Sequence, residues 1–480
     1  MNGPMGALLP RGVPKEEVLK EMASFTEKDV DWRTGKVMTG LYDPGEEAHN
    51  LAVEAYTRFL PHNALYVNMY PSIGKMEKEL VASVGELLRA DDDVVGNITS
   101  GGTESILMAV KTARDWARAN RPEIKEPEMV LPVTAHPAFL KAAHYFGLRA
   151  VQTAVDLGEY RANLDAFAEA LGPNTILAVG SAPNFSHGAI DPIPEMAALA
   201  GNKKILFHVD GCVGGIYLSV MRRMGENIPA FDFSVPGVTS ISADLHKYGY
   251  TPKNASVILY RNRGLRKFAW FVCTATTEYV VVNSTAQSSR TGGPVAAAWA
   301  MFRYLGEEGF RDIVRRSQEA THRIMEGIAR IEGIEVLGRP DMCMFTIASE
   351  KVNIFEVDDE MRQRGWQLIP QFAYGGSPPN LHVSVTQANV PHTDRFLADL
   401  REVVETLLRE GSQVNKEELA RIAAETADKP VEDVFMAIIP VIGLTGLDLP
   451  ERMATLNTVL DMLPAQLRDE LLTEFFNLTS

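Results

Sequence analysis

Cysteine is scarce in this chain. Three thiols in 480 residues, Cys212, Cys273 and Cys343, are too few and too scattered for a disulfide framework or a zinc cluster, so a reducing, cytoplasmic setting and no metal are expected. Cationic charge is in deficit as well. A net charge of −15 and a pI near 5.3 exclude a nucleic-acid surface, which needs clustered Lys and Arg to displace counterions. Long apolar runs are missing too. Residues 1–10 have neither the basic start nor the sustained apolar core of a signal peptide. The run at 434–443 is too short to span a bilayer and contains Pro440. A soluble protein with no integral membrane segment is expected.

What is present is a large core. With 46% hydrophobic residues the chain supports two or three domains. Apolar residues recur at helical spacing near 16–25 and 51–60, around a turn-rich loop at 35–45. From 129 to 260, strand-like and helix-like segments alternate, the pattern of an α/β domain with a largely parallel sheet. Past the turn Ser289-Arg-Thr-Gly-Gly-Pro294, helices are expected at 295–306 and 311–332, then a small α+β unit with strands near 335–337, 344–348 and 382–386. Amphipathic helices close the chain from Gly411. Their run Met436, Ile438, Ile439, Val441, Ile442 and Leu444 reads as core, or as a cover for an alkyl chain. The division implied is 1–75, a helical and loop segment; 76–335, a large domain; 336–411, a small domain; and 412–480, a helical extension.

In such sheets ligands bind at the carboxyl ends of strands, where His136, Asn184, Asp210 and Lys247 fall. Lys247 leaves an apolar strand and precedes a Gly-aromatic-Pro turn. A desolvated amine there loses its proton easily and becomes a nucleophile, as a Schiff-base lysine must; the alternative is a lysine whose stem packs while its ammonium reaches water. Asp210 closes the apolar strand 205–209, where a carboxylate is costly without a cationic partner. A protonated pyridine nitrogen is such a partner, and a helix N-cap is the rival role. Upstream, Thr99-Ser-Gly-Gly-Thr-Glu-Ser105 joins a short strand to a helix. Paired glycines there let backbone N–H groups approach a phosphate, with Thr103 and Ser105 as extra donors, although a plain helix cap has the same look. Together the three features ask for a pyridoxal phosphate site.

At these residues the chain resembles the sphingosine-1-phosphate lyase family, in the group II decarboxylase class of fold type I pyridoxal-phosphate enzymes. The likeness runs from about residue 31 to 408. It is carried by Gly35-Lys-Val with Tyr42, the 99–109 string, Thr134-Ala-His-Pro-Ala-Phe139, His187-Gly with Ile190-Asp-Pro192, His208-Val-Asp-Gly-Cys-Val-Gly-Gly215, and Gly237-Val-Thr-Ser-Ile-Ser-Ala-Asp-Leu-His-Lys-Tyr-Gly-Tyr-Thr-Pro-Lys253. The resemblance implies an α/β fold type I enzyme with a large, mostly parallel-sheet domain and a small C-terminal α+β domain. It implies that Lys247 bonds the cofactor, Asp210 pairs with its ring nitrogen, His136 stacks on one ring face and Cys212 packs on the other. Gly102, Thr103 and His246 would hold the cofactor phosphate, aided by Gly292 of a neighbouring subunit in a homodimer with shared sites. Tyr42 and Lys253 match a tyrosine and a lysine that bind substrate phosphate. Tyr66 stands where the family has a histidine, and the segment 273–279 also departs from the family pattern. The implied reaction is retro-aldol cleavage of a phosphorylated long-chain amine, such as sphingosine-1-phosphate, to a long-chain aldehyde and phosphoethanolamine. The alternatives are an amino-acid decarboxylase and a non-catalytic descendant. Eukaryotic members carry a membrane anchor; none is expected here.

Overall fold

The computed structural model describes residues 8–277, 279–426, 429–431, 433–434, 437 and 450–479. Its centre is a seven-stranded sheet: β1 (Val95–Thr99), β2 (Glu128–Pro132), β3 (Arg149–Thr153), β4 (Thr175–Ser181), β5 (Leu206–Asp210), β6 (Val238–Ala243) and β7 (Ser256–Tyr260), in the order β1-β7-β6-β5-β4-β2-β3. Neighbours from β3 to β6 run parallel, while β7 lies antiparallel to both β6 and β1. Every residue of β2, β4 and β7 is buried, because helices cover both faces and leave no polar side to the strands. The crossover helices Ala138–Phe146, Leu164–Ala170 and Ile193–Asn202 lie where the periodicity puts them.

Register sets up the site. Asp210 of β5 lies level with Ser181 of β4 and Ser242 of β6, so the carboxyl ends of three adjacent strands finish together. The chain leaving β6 reaches Lys247 four residues after Ala243.

A second, antiparallel sheet is built from Glu335–Val336, Met344–Ala348, Asn380–Ser384 and Ile369–Gln371, in that order. Its edge strand Ile369–Gln371 is not foreseen in the sequence, since Pro370 demotes so short a run. Nor is the hairpin Phe271–Cys273 with Val281–Asn283. The two helices expected after residue 294 are present within Gly293–Ile328, parted at Gly306, whose backbone is not helical (φ 54°, ψ −170°). Glycine accepts that conformation without a Cβ clash.

Helix Lys15–Phe25 buries no residue, and its Leu19, Met22 and Phe25 are exposed. At the other end, Glu356 accepts from Ser412 Oγ and Gln413 N, and Asp359 from Met453 N and Ala454 N, which docks the terminal helices onto the small sheet's layer. The apolar run from Met436 to Leu444 that could cover an alkyl chain lies outside the described residues. No described helix is long and apolar enough to cross a membrane.

Candidate active site

The glycine turn connects β1 to the helix Gly102–Asn120. Its first-turn N–H groups have no intrahelical acceptors, and the helix dipole adds positive potential, so the turn is an anion cup. Space enforces glycine. A Cβ on Gly102 would lie 2.7 Å from Asp244 Oδ2 and 2.9 Å from Cys212 Sγ, and one on Gly101 would lie 3.1 Å from His246 Cε1. His246 therefore borders the cup. Thr103 is exposed beside it. Ser105 is not a donor to this cup. Two residues on, the helix has turned it inward, where its hydroxyl bonds Thr99 Oγ1 (2.6 Å) and Ser256 Oγ (2.8 Å). Glu104 is buried and double-acting. Its Oε2 accepts from Ser100 N at the turn, and its Oε1 from Ala286 N (2.9 Å) and Gln287 N (3.1 Å) in the segment leading to Gly292.

Asp210 ends β5 at 7% exposure. Cys212 N (3.0 Å) and Ser242 Oγ (3.3 Å) both donate to its Oδ1, and among the described residues no hydrogen bond reaches Oδ2. Ser242 in turn meets His208 Nε2 at 3.2 Å and receives the Cys212 thiol at 3.2 Å. Burial drives the His208 pKa down to about 4, against the pull of Asp210, so this imidazole is neutral. The Cys212 thiol is pushed well up by burial and by the Asp210 and Asp244 carboxylates, which suits packing and not nucleophilic attack. His136 leaves β2, and its Nδ1 accepts from Ala138 N at 3.1 Å, which fixes the ring at the start of the next helix. Burial lowers its pKa, with Asp210 opposing. Asn184, the remaining strand-end polar residue, spends its amide on the Tyr160 and Ala189 carbonyls and serves the loop.

Lys247 Nζ lies 3.0 Å from Asp244 Oδ2. The expectation of an easily deprotonated amine is reversed here. Burial pulls the pKa down, but Asp244 leads a set of opposing groups, with Cys212, Tyr42 and Asp210, that carries it above the ordinary lysine value. Sequence reasoning passed over Asp244. The available signal was a carboxylate at an apolar strand exit, three residues before a lysine.

Lys253 Nζ donates to the Gly40 carbonyl at 2.8 Å and sits 5.0 Å from the centre of the Tyr42 ring. Tyr42 packs edge-on against Tyr248, and burial raises its pKa to about 12, with Lys247 opposing. Lys253 is lowered by burial and then by Lys247. Tyr42, Lys253 and Lys247 are thus one group. Tyr66 and Gly292 form another. Tyr66 is 42% exposed, and its loop is stitched to the Gly292 turn by Ala64 N to Arg290 O (2.8 Å) and Gly292 N to His62 O (2.7 Å). Among the described residues no contact joins this pair to Tyr42, Lys247 or Lys253.

The donor set fits pyridoxal phosphate: an anion cup that a Cβ would fill, a carboxylate oxygen without a hydrogen bond among the described residues, a flat imidazole and an amine, gathered around the carboxyl ends of the sheet's central strands. The pyridoxal-dependent decarboxylase conserved domain matches residues 12–346, and a pyridoxal-dependent enzyme C-terminal putative HTH domain matches 416–478. A sphingosine-1-phosphate lyase from Arabidopsis thaliana is 41% identical over 399 residues, covering 82% of this chain and 72% of the relative. The chain belongs to the sphingosine-1-phosphate lyase family. The solved sphingosine-1-phosphate lyase of Burkholderia pseudomallei is similar at 35% identity and a TM-score of 0.81, over 89% of this chain and 98% of that one. A probable L-aspartate decarboxylase from Pyrococcus abyssi is 31% identical, over 82% of this chain and 98% of the relative. As a member of the lyase family the protein is an enzyme of fold type I, and its cofactor is pyridoxal 5′-phosphate.

Proposed function

We propose that the enzyme cleaves sphingosine-1-phosphate or a related phosphorylated long-chain base between Cα and Cβ, giving a long-chain aldehyde and phosphoethanolamine. The observation that carries this reading is the convergence of Lys253 and Tyr42 beside Lys247. An ammonium and a phenol set near the reactive amine are donors for a phosphate carried on the same small molecule as the reacting amine. Bound pyridoxal phosphate supplies the electron sink for the carbanion left by bond cleavage.

The chain's own side chains do the rest. The first-turn amides after Gly101, with Thr103 and His246, would hold the cofactor phosphate; Asp210 Oδ2 would favour a proton on the ring nitrogen; His136 and Cys212 would pack against the ring; and Lys247 would be the covalent anchor. Gly292 reaches the site from a second subunit. The turn carrying Gly292 and the loop carrying Tyr66 are bonded together, so both residues enter the neighbour's site as a unit in a homodimer. The unburied apolar face of Lys15–Phe25 gives such a dimer surface to cover. The remaining expectations, a cytoplasmic setting and a division at residues 75, 335 and 411, belong to the same reading.

A second reading is an amino-acid decarboxylase. Tyr66 favours it, because a phenol cannot carry the positive charge that a histidine gains beside a phosphate dianion. Incubation of the reconstituted enzyme with sphingosine-1-phosphate separates the two. Long-chain aldehyde and phosphoethanolamine in equal amounts support the lyase; carbon dioxide from an amino-acid panel with neither product overturns it.

A further inference from the structure

We infer that Asp244 is a positioning residue: its carboxylate is the fixed counter-ion that holds the Lys247 nitrogen in place and keeps it protonated. The inference rests on the reading that Lys247 carries the cofactor.

Asp244 is 2% exposed, on the turn directly after β6, where no solvent can balance its charge. Its Oδ2 faces Lys247 Nζ at 3.0 Å and His246 Nε2 at 3.6 Å, and the Ser256 hydroxyl is the one uncharged side chain that also supports the carboxylate among the described residues. A buried carboxylate is costly unless a cation compensates it, and Lys247 is the nearest one. The position is rigid. Asp244 N donates to Cys212 O at 3.2 Å, and the carboxylate lies where a Gly102 side chain would otherwise sit. It therefore touches the anion cup on one side and the lysine on the other.

The ionisable groups around Lys247 are the Asp244 and Asp210 carboxylates, which favour its charge, the Cys212 thiol and Tyr42 phenol, whose pKa values burial raises, the Lys253 amine and the His246 imidazole, whose pKa burial lowers. Asp244 is the nearest carboxylate and the largest favourable influence. Lys247 and His246 together carry the Asp244 pKa below its ordinary value even though burial pushes it up. The pair is therefore ionised on both sides, and the lysine nitrogen is fixed in the direction of the cup before any cofactor arrives. With the cofactor in place, the same carboxylate would stay against the Lys247 nitrogen.

Two measurements made without cofactor test the pair itself. Reductive methylation with formaldehyde and cyanoborohydride, followed by peptide mass spectrometry, reads the reactivity of Lys247. At pH 8, Asp244→Asn should methylate Lys247 at least about tenfold faster than wild type, with other lysines unchanged. Chemical denaturation of Asp244→Asn, Lys247→Met and the double variant should show strong non-additivity, the double being less destabilised than the sum of the singles. If Asp244→Asn does not fold, Lys247→Met decides: relative to wild type it should lose stability as pH rises from 5 to 8, because a carboxylate then ionises without its partner. A third measurement uses the loaded enzyme. Its absorbance should be constant from pH 6 to 9 in wild type and should titrate within that range in Asp244→Asn. Unchanged methylation, additive variants or a pH-independent Lys247→Met penalty overturns the inference. A wild-type protein that binds no pyridoxal phosphate overturns the cofactor reading, while the cofactor-free arms still judge the ion pair.

Discussion

Lys253, between β6 and β7, is held against Tyr42, which lies upstream of the whole sheet: its Nζ donates to the Gly40 carbonyl at 2.8 Å and lies 5.0 Å from the Tyr42 ring centre. One carbonyl satisfies one of three ammonium donors, which leaves the cation free to take a phosphate.

Lys253→Ala should therefore cost substrate recognition and spare the cofactor. The expected loss is about 100-fold in kcat/KM for the phosphorylated base, the roughly 2–3 kcal/mol of a charged hydrogen bond, mostly in KM. The dephosphorylated base should show no such loss. Equal losses for both substrates, or a loss of cofactor absorbance, would remove Lys253 from phosphate binding.

Asp210→Asn should retain the fold, since Cys212 N and Ser242 Oγ can still donate to the amide oxygen. On the proposed assignment it removes the charge that would keep the cofactor ring protonated. A fall in kcat of about 100- to 1,000-fold is expected, the usual cost of deleting one preorganised electrostatic partner. Stopped-flow turnover with near-normal cofactor occupancy checks it.

Gly102→Ala and Ser105→Ala should part company. The added methyl on residue 102 meets Cys212 Sγ and Asp244 within 3.0 Å, so affinity for pyridoxal phosphate should collapse. Ser105→Ala breaks the link between Thr99 and Ser256, costing about 1–3 kcal/mol of stability with little change in cofactor affinity. Fluorescence titration and urea melts distinguish the two.

Acid sensitivity has a defined origin. His187, His208 and His382 are buried, with pKa values driven to about 4 by desolvation. Each has a folded pKa below its unfolded value of about 6.5, so between those values the unfolded chain binds more protons and stability falls as pH falls. Asp191 and Asp358, raised to about 6 by burial, act in the opposite sense over part of that range. His208→Gln should reduce the pH slope of unfolding free energy by up to about 1.4 kcal/mol per pH unit, whereas Asp191→Asn should steepen it. Urea midpoints at pH 7.5, 6 and 5 are the readout.

The parallel strands and their crossover helices were legible in the sequence because continuous apolar runs and 3.6-residue periodicity are local signals. Asp210 and Lys247 could be singled out for the same reason: charge at the end of an apolar run is costly and visible. Pair effects were not legible. The sign of the Lys247 shift depends on Asp244 lying 3.0 Å away, and Ser105 is removed from the cup only by its angle on the helix and its partner Ser256 on a distant strand. The edge strand Ile369–Gln371 and the hairpin Phe271–Cys273 with Val281–Asn283 were missed because three-residue strands are defined by their neighbours.

Glu104 gives the architecture a mechanical property. One carboxylate ties the turn at Ser100 to the backbone of Ala286 and Gln287. The cup and the segment between the exposed hairpin and Gly292 are in this way braced as a single lever. Loss of that one carboxylate would leave backbone N–H groups without an acceptor at both places at once.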